Sequence, residues 1–179
     1  MRVVIIGAVA AGTSAATEIR RNDKKAEIII YEKDKYISYA GCGMPYYISN
    51  EAEGFSSVVP RDKDFFKEKH NIDIYTEHEV VSVNPNNKTL RVKNKSGEIM
   101  DRYDKLIIAT GAMSVKPDLK GSDRDNVFLL RNINDMIDIK NFIDENKPKS
   151  AVIIGSGFVG LEMCESFKFL GLDVTIIAR

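Results

Sequence analysis

Residues 3–12 read VVIIGAVAAG, and this stretch decides the fold. The apolar run from Arg2 to Ile6 is typical of a short parallel strand that is covered on both faces. A turn with two glycines ends the run, and apolar side chains at helical spacing follow between Thr13 and Arg21. A second apolar run, from Glu27 to Tyr31, ends at Glu32, twenty residues after the last glycine of the turn. The pattern predicts a strand, a glycine turn, a helix and a second strand that is followed by an acidic residue.

Such a βαβ unit predicts a dinucleotide-binding site. Its turn and helix N-terminus offer backbone N–H groups to a diphosphate, and its acid accepts hydrogen bonds from ribose hydroxyls. Val9 stands where the general G-x-G-x-x-G pattern has its central glycine. A glycine turn that binds no ligand is the alternative for this stretch taken alone. The predicted contacts are Gly7, Ala8, Val9, Ala10, Ala11, Gly12 and Glu32.

The opening pattern returns 148 residues later, where residues 151–160 read AVIIGSGFVG. A helix to Leu170 and a strand from Val174 to Ile177 follow, and this copy has all three glycines. An accidental glycine turn would not recur inside the same strand-turn-helix-strand frame. We therefore predict a second dinucleotide site, formed by Gly155, Ser156, Gly157, Phe158, Val159 and Gly160.

The chain between the two units changes its pattern. A short polar helix is predicted from Asp62 to His70, and short alternating runs split by turn residues extend from Ile72 to Tyr103. These runs predict a β-meander inserted in the α/β framework. Its apolar positions are Val81, Val83, Leu90 and Val92.

A further buried strand is predicted from Lys105 to Ala109, and it ends in Thr110 and Gly111. A glycine at the carboxyl end of a central strand lets the backbone approach a ligand over the sheet edge. A connector from Met113 to Val127 and a helix from Asn134 to Asn146 then lead to the second unit.

A cysteine with small neighbours follows the first unit, where residues 38–47 read SYAGCGMPYY. Glycines on both sides leave the sulfur of Cys42 approachable, and the next residues can begin a helix whose positive end stabilises a thiolate. The alternative is that Cys42 is a small buried hydrophobe. Cys164, on the helix after the second glycine turn, is predicted to be a core residue.

Composition excludes several classes of function. The 179 residues carry 26 basic and 26 acidic side chains, so the zero net charge gives no reason to expect nucleic acid or an anionic membrane as partner. Two cysteines, no secretory pattern and no apolar run near eighteen residues predict a soluble, cytoplasmic protein. No metal site is predicted.

Together these motifs resemble the FAD and nicotinamide sites of the pyridine nucleotide-disulfide oxidoreductases. Cys42 without a partner cysteine resembles the single-cysteine branch, which includes coenzyme A-disulfide reductase, NADH oxidase, NADH peroxidase and persulfide reductase. The oxidases and peroxidases usually carry a histidine in the first glycine turn, at the position of Ala10 here. The turn therefore matches the coenzyme A-disulfide reductase form, although Gly41 replaces an asparagine that those enzymes often have.

The resemblance implies an α/β, FAD/NAD(P)-binding Rossmann-like fold, a doubly wound parallel sheet with an inserted β-meander. It implies an FAD-binding domain over residues 1–112 with the meander at about 72–103, a connector and helix over 113–150, and the start of an NAD(P)-binding domain over 151–179. The second Rossmann unit is then incomplete, and the chain is expected to be the N-terminal part of a homodimeric enzyme. Beyond the first turn and Glu32, the FAD contacts implied are Val80, Ala109, Thr110, Gly111 and Arg131.

The resemblance also places coenzyme A along the first helix. The contacts implied are Ser14, Glu18, Arg21, Ser38 and Lys69. Arg21 and Lys69 suit phosphate oxygens, and the alternative is that they are ordinary exposed cations. In NAD-specific members an acid ends the second βαβ unit, whereas Ala178 followed by Arg179 stands here. This change favours the 2′-phosphate of NADPH, with NADH as the alternative.

Two hypotheses of different class follow. The first is a flavoprotein that passes electrons from NAD(P)H through FAD to Cys42 and on to coenzyme A disulfide, with an NADH oxidase or a per- or polysulfide reductase of the same branch as variants. The second is a non-catalytic, truncated nucleotide-binding protein that keeps the fold and has lost the reaction.

Overall fold

The computed structural model describes residues 1–178, which divide into two compact units. The first contains Met1–Tyr39 and Val59–Ala112, and the second contains Ala40–Val58 and the chain from Met113 onward. No helix in the described part of the chain is long and apolar enough to cross a membrane. In chain order the elements are β1 (Arg2–Ile6), α1 (Ala10–Asn22), β2 (Glu27–Tyr31), α2 (Met44–Ile48), α3 (Lys63–His70), β3 (Asp73–Tyr75), β4 (Glu79–Asn84), β5 (Thr89–Asn94), β6 (Gly97–Arg102), β7 (Lys105–Ile108), α4 (Ile133–Asn146), β8 (Ser150–Ile154), α5 (Phe158–Phe169) and β9 (Asp173–Ile177).

The first unit is built on a parallel sheet in the order β3-β2-β1-β7. Alternate residues of a strand face opposite sides of the sheet. Ile5 and Ile30 pack on one side with Ala16 of α1 and Phe66 of α3. Val4 packs on the other side with residues of the meander β4-β5-β6. The sheet is therefore covered on both faces, and the predicted α/β fold with an inserted meander is confirmed.

Two details of the predicted meander are wrong. Residues 73–75 belong to the parallel sheet as its edge strand, because buried Ile74 pairs with Ile30 of β2. Val81 is 40% exposed, although its alternation with Val83 predicted an inward side chain. A register shift between Val80 and Ser82 is the cause, since a bulge reverses the alternation and turns Val80 toward the core instead.

A polar network joins the meander to the parallel sheet. The Arg2 guanidinium donates to both carboxylate oxygens of Asp101 at 2.8 Å, and the Tyr31 hydroxyl donates to Asp101 Oδ2 at 2.8 Å. Burial opposes ionisation of Asp101, but the hydrogen bonds from Arg2 and Tyr31 outweigh it and lower the pKa of this carboxyl. Burial and the Asp101 carboxylate raise the pKa of Tyr31. Ionised Asp101 therefore stabilises the packing of β6 onto β1 and β2.

Replacing Asp101 by asparagine is expected to lower the free energy of unfolding by about 1–2 kcal/mol at pH 7, because Arg2 loses the more buried of its two charged partners, Asp101 and Glu27. The folded-state pKa lies below the ordinary value of 3.8, so this stabilisation is present above that pH and is lost as the pH falls through the folded-state pKa. Urea unfolding at pH 7 and at pH 2–3 measures both effects. Glu98→Gln, which removes an exposed salt bridge to Arg91, is the matched control. Equal stability of Asp101→Asn and the wild type at pH 7 would contradict the assignment.

The second unit repeats the strand-helix-strand pattern of the first. Strands β8 and β9 pair in parallel, and α5 connects them. Helix α4 begins one residue before the predicted start, because Asn132 and Asp135 form a capping box around Ile133. Helix α2, which follows Cys42, lies against α4 and α5 and buries Met44 and Ile48.

Candidate functional site

The first glycine turn brings three backbone segments into close contact. Gly7 has φ +103°, and a Cβ on Gly7 would overlap the carbonyl oxygen of Ala109 at the end of β7. A Cβ on Gly12 would overlap the carbonyl oxygen of Gly7. Only glycine fits either position, so the turn, α1 and β7 meet with bare backbone.

Glu32 holds this turn from the end of β2. The carboxylate is buried; its Oε2 accepts the N–H of Ala8 at 2.7 Å and its Oε1 accepts the N–H of Asp34 at 2.9 Å. An ionised carboxylate has about four acceptor positions, so two remain for donors such as ribose hydroxyls. Nothing in the sequence indicated that Glu32 also binds the turn, because the bond to Ala8 joins residues 24 positions apart.

The N-terminus of α1 suits a diphosphate. Val9 is the N-cap and makes no capping hydrogen bond with its side chain, and the first turn contains no acidic residue. The N–H groups at the start of a helix have no partner within the helix, and they carry its positive end. Bare backbone at the turn, amide groups at the helix start and the Glu32 carboxylate together fit a dinucleotide.

The other residues that the resemblance implies as FAD contacts do not all lie in the same compact unit. The N–H of Ala109 donates to the carbonyl of Ile6 at 2.8 Å, which puts it beside the first turn, and exposed Thr110 and Gly111 follow it. Val80 is half-buried at the bulge of β4. Arg131 belongs to the second unit, where its backbone N–H donates to Asp135 Oδ2 at 2.7 Å. Their role as FAD contacts stays a prediction.

The second turn has the geometry of the first. Gly155 has φ +112°, and a Cβ on Gly160 would overlap its carbonyl oxygen. The N–H of Gly155 donates to the carbonyl of Ile177 at 2.8 Å, as that of Gly7 does to Tyr31. Gly157 is the N-cap of α5, and a Cβ there would meet nothing within 4 Å. The remaining turn residues, Ser156, Phe158 and Val159, are exposed.

The two βαβ segments, β1-α1-β2 and β8-α5-β9, differ in the residue that follows the second strand. Glu32 follows β2, and the exposed residue Ala178 follows β9 in the same position. A methyl group thus replaces the carboxylate. Arg179, the predicted partner of a 2′-phosphate, lies outside the described residues.

Cys42 is the central residue of a 3₁₀ turn, Gly41–Gly43, in the second unit. Its side chain is exposed, which does not fit the alternative of a small buried hydrophobe. The N–H of Ala40 donates to the carbonyl of Val58 at 2.8 Å, and the N–H of Gly43 donates to the carbonyl of Ala40 at 3.0 Å. The turn therefore presents an accessible thiol on an anchored backbone. Cys164 is only partly buried, on α5.

The residues predicted to contact coenzyme A all lie in the first unit. Ser14, Glu18 and Arg21 are exposed at helical spacing on one face of α1, and Arg21 pairs with Glu18 at 3.2 Å. Lys69 is exposed near the end of α3. Ser38 has φ +51°, and its N–H donates to the carbonyl of Ala8 at 2.9 Å.

The parallel sheet and the repeated glycine turns define an α/β protein of the dinucleotide-binding class. The family described as pyridine nucleotide-disulphide oxidoreductase matches residues 1–179, and the chain belongs to this family. The resemblance predicted from the sequence is thus confirmed.

The chain is similar to enzymes of that family along its whole length. It is 41% identical over 180 residues to the coenzyme A disulfide reductase of Staphylococcus haemolyticus, covering 99% of this chain and 40% of that one. It superimposes on reduced CoADR-RHD of Bacillus anthracis with TM-score 0.94 and 36% identity, covering 99% of this chain and 32% of that one. It superimposes on the NAD-dependent persulfide reductase of A. fulgidus with TM-score 0.93 and 37% identity. That match covers 98% of this chain and 34% of the other.

One of the similar solved structures is an engineered enzyme. A water-forming NADPH oxidase bound to NADPH superimposes with TM-score 0.90 and 28% identity, covering 100% of this chain and 40% of that one. The chain spans about 40% of the length of the curated relatives it matches.

Proposed function

We propose that the chain forms the FAD-binding and thiol-bearing part of an NAD(P)H-dependent disulfide reductase that acts on coenzyme A disulfide. The observation that carries this proposal is the exposed Cys42 thiol, between two glycines, in a chain that also contains two dinucleotide turns. Ala10 in the first turn supports a disulfide as the oxidant, because the resemblance associates oxidases and peroxidases with a histidine there. Similarity to coenzyme A disulfide reductases points to the same substrate.

The residues of the first turn fit FAD. The amide groups at the start of α1 would hold its diphosphate, and Glu32 would accept hydrogen bonds from its ribose. Bound FAD supplies the transfer of two electrons from NAD(P)H to a disulfide. The second turn, from Gly155 to Gly160, would hold the diphosphate of the nicotinamide nucleotide.

Cys42 performs the thiol chemistry. Its thiolate attacks one sulfur of coenzyme A disulfide, forming a mixed disulfide with Cys42 and releasing one coenzyme A thiolate. Two electrons from NAD(P)H then reduce the mixed disulfide to the Cys42 thiolate and a second coenzyme A thiolate. With one further proton the balance is NAD(P)H, H⁺ and one disulfide giving NAD(P)⁺ and two thiols. A protein partner cysteine is unnecessary because the substrate supplies the second sulfur.

The test uses the full-length protein. We expect a yellow protein whose flavin absorbance bleaches with NADPH and recovers on addition of coenzyme A disulfide, with two thiols released per NADPH oxidised. A colourless protein would favour the non-catalytic alternative. Bleaching that is reversed by oxygen and not by the disulfide would indicate an oxidase instead.

A second candidate is reduction of a persulfide or polysulfide. The similarity to the A. fulgidus persulfide reductase favours it, since that protein superimposes about as well as the coenzyme A-linked one. The two reactions differ in their product, because a persulfide releases sulfide and coenzyme A disulfide releases only thiols. Sulfide and thiol assays on the same preparation therefore separate them.

NADPH is the nucleotide we propose for the second site. Ala178 follows β9 where Glu32 follows β2, so no carboxylate is available there for the ribose 2′-hydroxyl. The engineered NADPH oxidase carries, among five substitutions, an aspartate-to-alanine change followed directly by alanine to arginine. Ala178 and Arg179 form the same pair.

Replacing Ala178 by aspartate is therefore expected to raise the KM for NADPH at least about tenfold, because a carboxylate repels the 2′-phosphate, and to lower the KM for NADH. Steady-state rates with both nucleotides measure the change. Ala178→Ser, which adds no charge, is the control. A wild-type protein that strongly prefers NADH would refute the proposal.

A further inference from the structure

Two backbone segments of the first unit stay paired beyond the end of the parallel sheet. The N–H of Glu32, just after β2, donates to the carbonyl of Tyr75 at 2.9 Å. The N–H of His78 donates to the carbonyl of Glu32 at 2.8 Å, and that of Glu77 donates to the carbonyl of Asp34 at 3.1 Å. The backbone of Glu32 is thus held by the end of β3 and by the turn that follows it. The place of the Glu32 carboxylate at the first glycine turn therefore depends on this β3-β4 turn.

The imidazole of His78 connects the β3-β4 turn to the hairpin of β5 and β6. Its Nδ1 lies 2.7 Å from the carbonyl oxygen of Thr76, and a carbonyl can only accept, so Nδ1 carries the ring proton. Its Nε2 lies 3.0 Å from the amide nitrogen of Asn94. The amide oxygen of Asn94 accepts the N–H of Ser96 at 2.8 Å, which leaves the amide nitrogen to donate to Nε2. The neutral ring with its proton on Nδ1 therefore satisfies every one of these hydrogen bonds.

Two tyrosines restrict the orientation of the His78 ring. Its centre lies 5.5 Å from that of the Tyr75 ring and 6.2 Å from that of the Tyr31 ring. The two tyrosine rings are themselves stacked at 5.6 Å, and the Tyr31 hydroxyl is bonded to the Asp101 carboxylate of β6. A change in the orientation of the imidazole therefore has to disturb this stack.

A proton added to Nε2 of His78 has no acceptor. It would point at the amide nitrogen of Asn94, so that two donors face each other. Reversing the amide would remove this conflict, but it would turn the amide nitrogen toward the N–H of Ser96 and break that bond instead. Protonation therefore costs one hydrogen bond between the β3-β4 turn and the β5-β6 hairpin, and it leaves a half-buried donor unpaired.

The charged side chains near the His78 ring act in opposite directions. Glu77 lies on the same turn and pairs at 2.5 Å with Lys95 of the turn between β5 and β6. The hydrogen bond from Lys95 is the main cause that lowers the pKa of Glu77, and the charges of Lys35 and His78 lower it further. Glu77 attracts a proton on His78, whereas Lys95 and Lys35 repel it. The hydrogen bonds at Nε2 are therefore left to decide which form of the ring fits the fold.

We propose that His78 is a positioning residue for Glu32 and that protonation of His78 weakens the binding of FAD at the first glycine turn. This inference rests on the proposed function, because FAD is the ligand proposed for that turn. The neutral ring ties the β3-β4 turn to Asn94 and so fixes the backbone that carries Glu32. A proton on Nε2 breaks the tie, and the Glu32 carboxylate loses its alignment with the ribose. FAD affinity is thus highest with the neutral ring and falls as the pH falls.

The experiment measures the FAD affinity of the full-length apoprotein at different pH values by fluorescence titration. An imidazole ordinarily titrates near about pH 6.5, so we expect the affinity to fall about fivefold or more between about pH 7.5 and about pH 5.5. His78→Gln has no titrating ring and should lose this dependence. His70→Gln changes the other histidine of the 179 residues and leaves the hydrogen bonds of His78 intact, so this matched control should keep it.

Replacing Asn94 by aspartate tests the same hydrogen bond from the other side. A carboxylate oxygen then takes the place of the amide nitrogen, so the protonated ring of His78 gains an acceptor while the bond from Ser96 remains. FAD affinity should stay constant or rise on acidification in this variant. Hydrogen–deuterium exchange gives a readout without FAD. Corrected for the intrinsic effect of pH, the Ser96 amide should lose protection at about pH 5.5 in the wild type and keep it in Asn94→Asp.

A wild-type FAD affinity that stays constant over this pH range would overturn the inference. The same loss of affinity in His78→Gln or in Asn94→Asp would overturn it as well. Thiol release from coenzyme A disulfide tests the proposed function separately. Thiol release with a flat pH profile of FAD affinity would refute the role of His78 and leave the function standing. FAD binding that follows the expected pH profile without thiol release would support the role of His78 and refute the reductase.

Discussion

Replacing Cys42 by serine is expected to abolish disulfide reduction in the full-length protein, lowering turnover by about 10³-fold or more. A serine hydroxyl ionises far less readily than a thiol and cannot form a disulfide, so no covalent intermediate with the substrate can arise. Flavin content should stay unchanged, because serine is close to cysteine in size and the substitution leaves the proposed FAD contacts, Gly7 to Gly12 and Glu32, as they are. The measurement is thiol release, with the flavin spectrum recorded on the same sample.

Cys164→Ser is the matched control for that experiment. Cys164 lies within α5, partly buried, and has no place in the proposed reaction. Its replacement should leave thiol release close to that of the wild type. Retained disulfide reduction in Cys42→Ser, or its loss in Cys164→Ser, would show that the wrong thiol has been assigned.

Replacing Gly12 by alanine is expected to lower the free energy of unfolding by about 3 kcal/mol or more and to abolish flavin binding. The added methyl group would overlap the carbonyl oxygen of Gly7, and the backbone cannot yield because that carbonyl belongs to the turn itself. Moving α1 away from β1 would relieve the overlap, but it would also displace the amide groups proposed to hold the diphosphate. Denaturant unfolding and flavin content measure the two effects.

Gly160 and Gly157 of the second turn differ in the space around them, so they test the steric explanation directly. Gly160→Ala would overlap the carbonyl oxygen of Gly155 and should destabilise the protein as strongly as Gly12→Ala does. Gly157→Ala has open space and φ −74°, so its effect on stability should stay within about 1 kcal/mol. Its methyl group should still weaken NADPH binding, because this turn is the one proposed to hold the nucleotide diphosphate against bare backbone. Equal destabilisation by the two changes would contradict the steric explanation.

The framework of the site could be predicted because its signals are local. The apolar run of β1, the spacing of Gly7 and Gly12 and the acid after β2 lie within 32 residues, and the same pattern recurs 148 residues later. Strand periodicity and glycine geometry depend on neighbouring residues, so a linear pattern is enough to recognise them. The small neighbours of Cys42 likewise predicted an approachable sulfur, and its side chain is exposed, while its redox role stays a prediction.

Other features depend on which strand pairs with which. The edge strand β3 was assigned to the meander because three residues carry too little periodicity to show that they pair with β2. Val81 was predicted to face inward because a bulge at Val80 and Ser82 is a property of the pairing between two strands. Neither feature has a signal within its own segment.

The sequence alone was enough to predict the α/β fold, the repeated glycine turns and the approachable sulfur of Cys42. Each of these features follows from residue types at short spacing. The tertiary structure alone separated Arg20 from Arg21, adjacent residues with the same side chain. Arg20 is buried against carbonyls up to 51 residues away, and Arg21 stays exposed, paired with Glu18. Their roles differ because helix geometry turns neighbouring side chains to different faces, and only packing decides which face is covered.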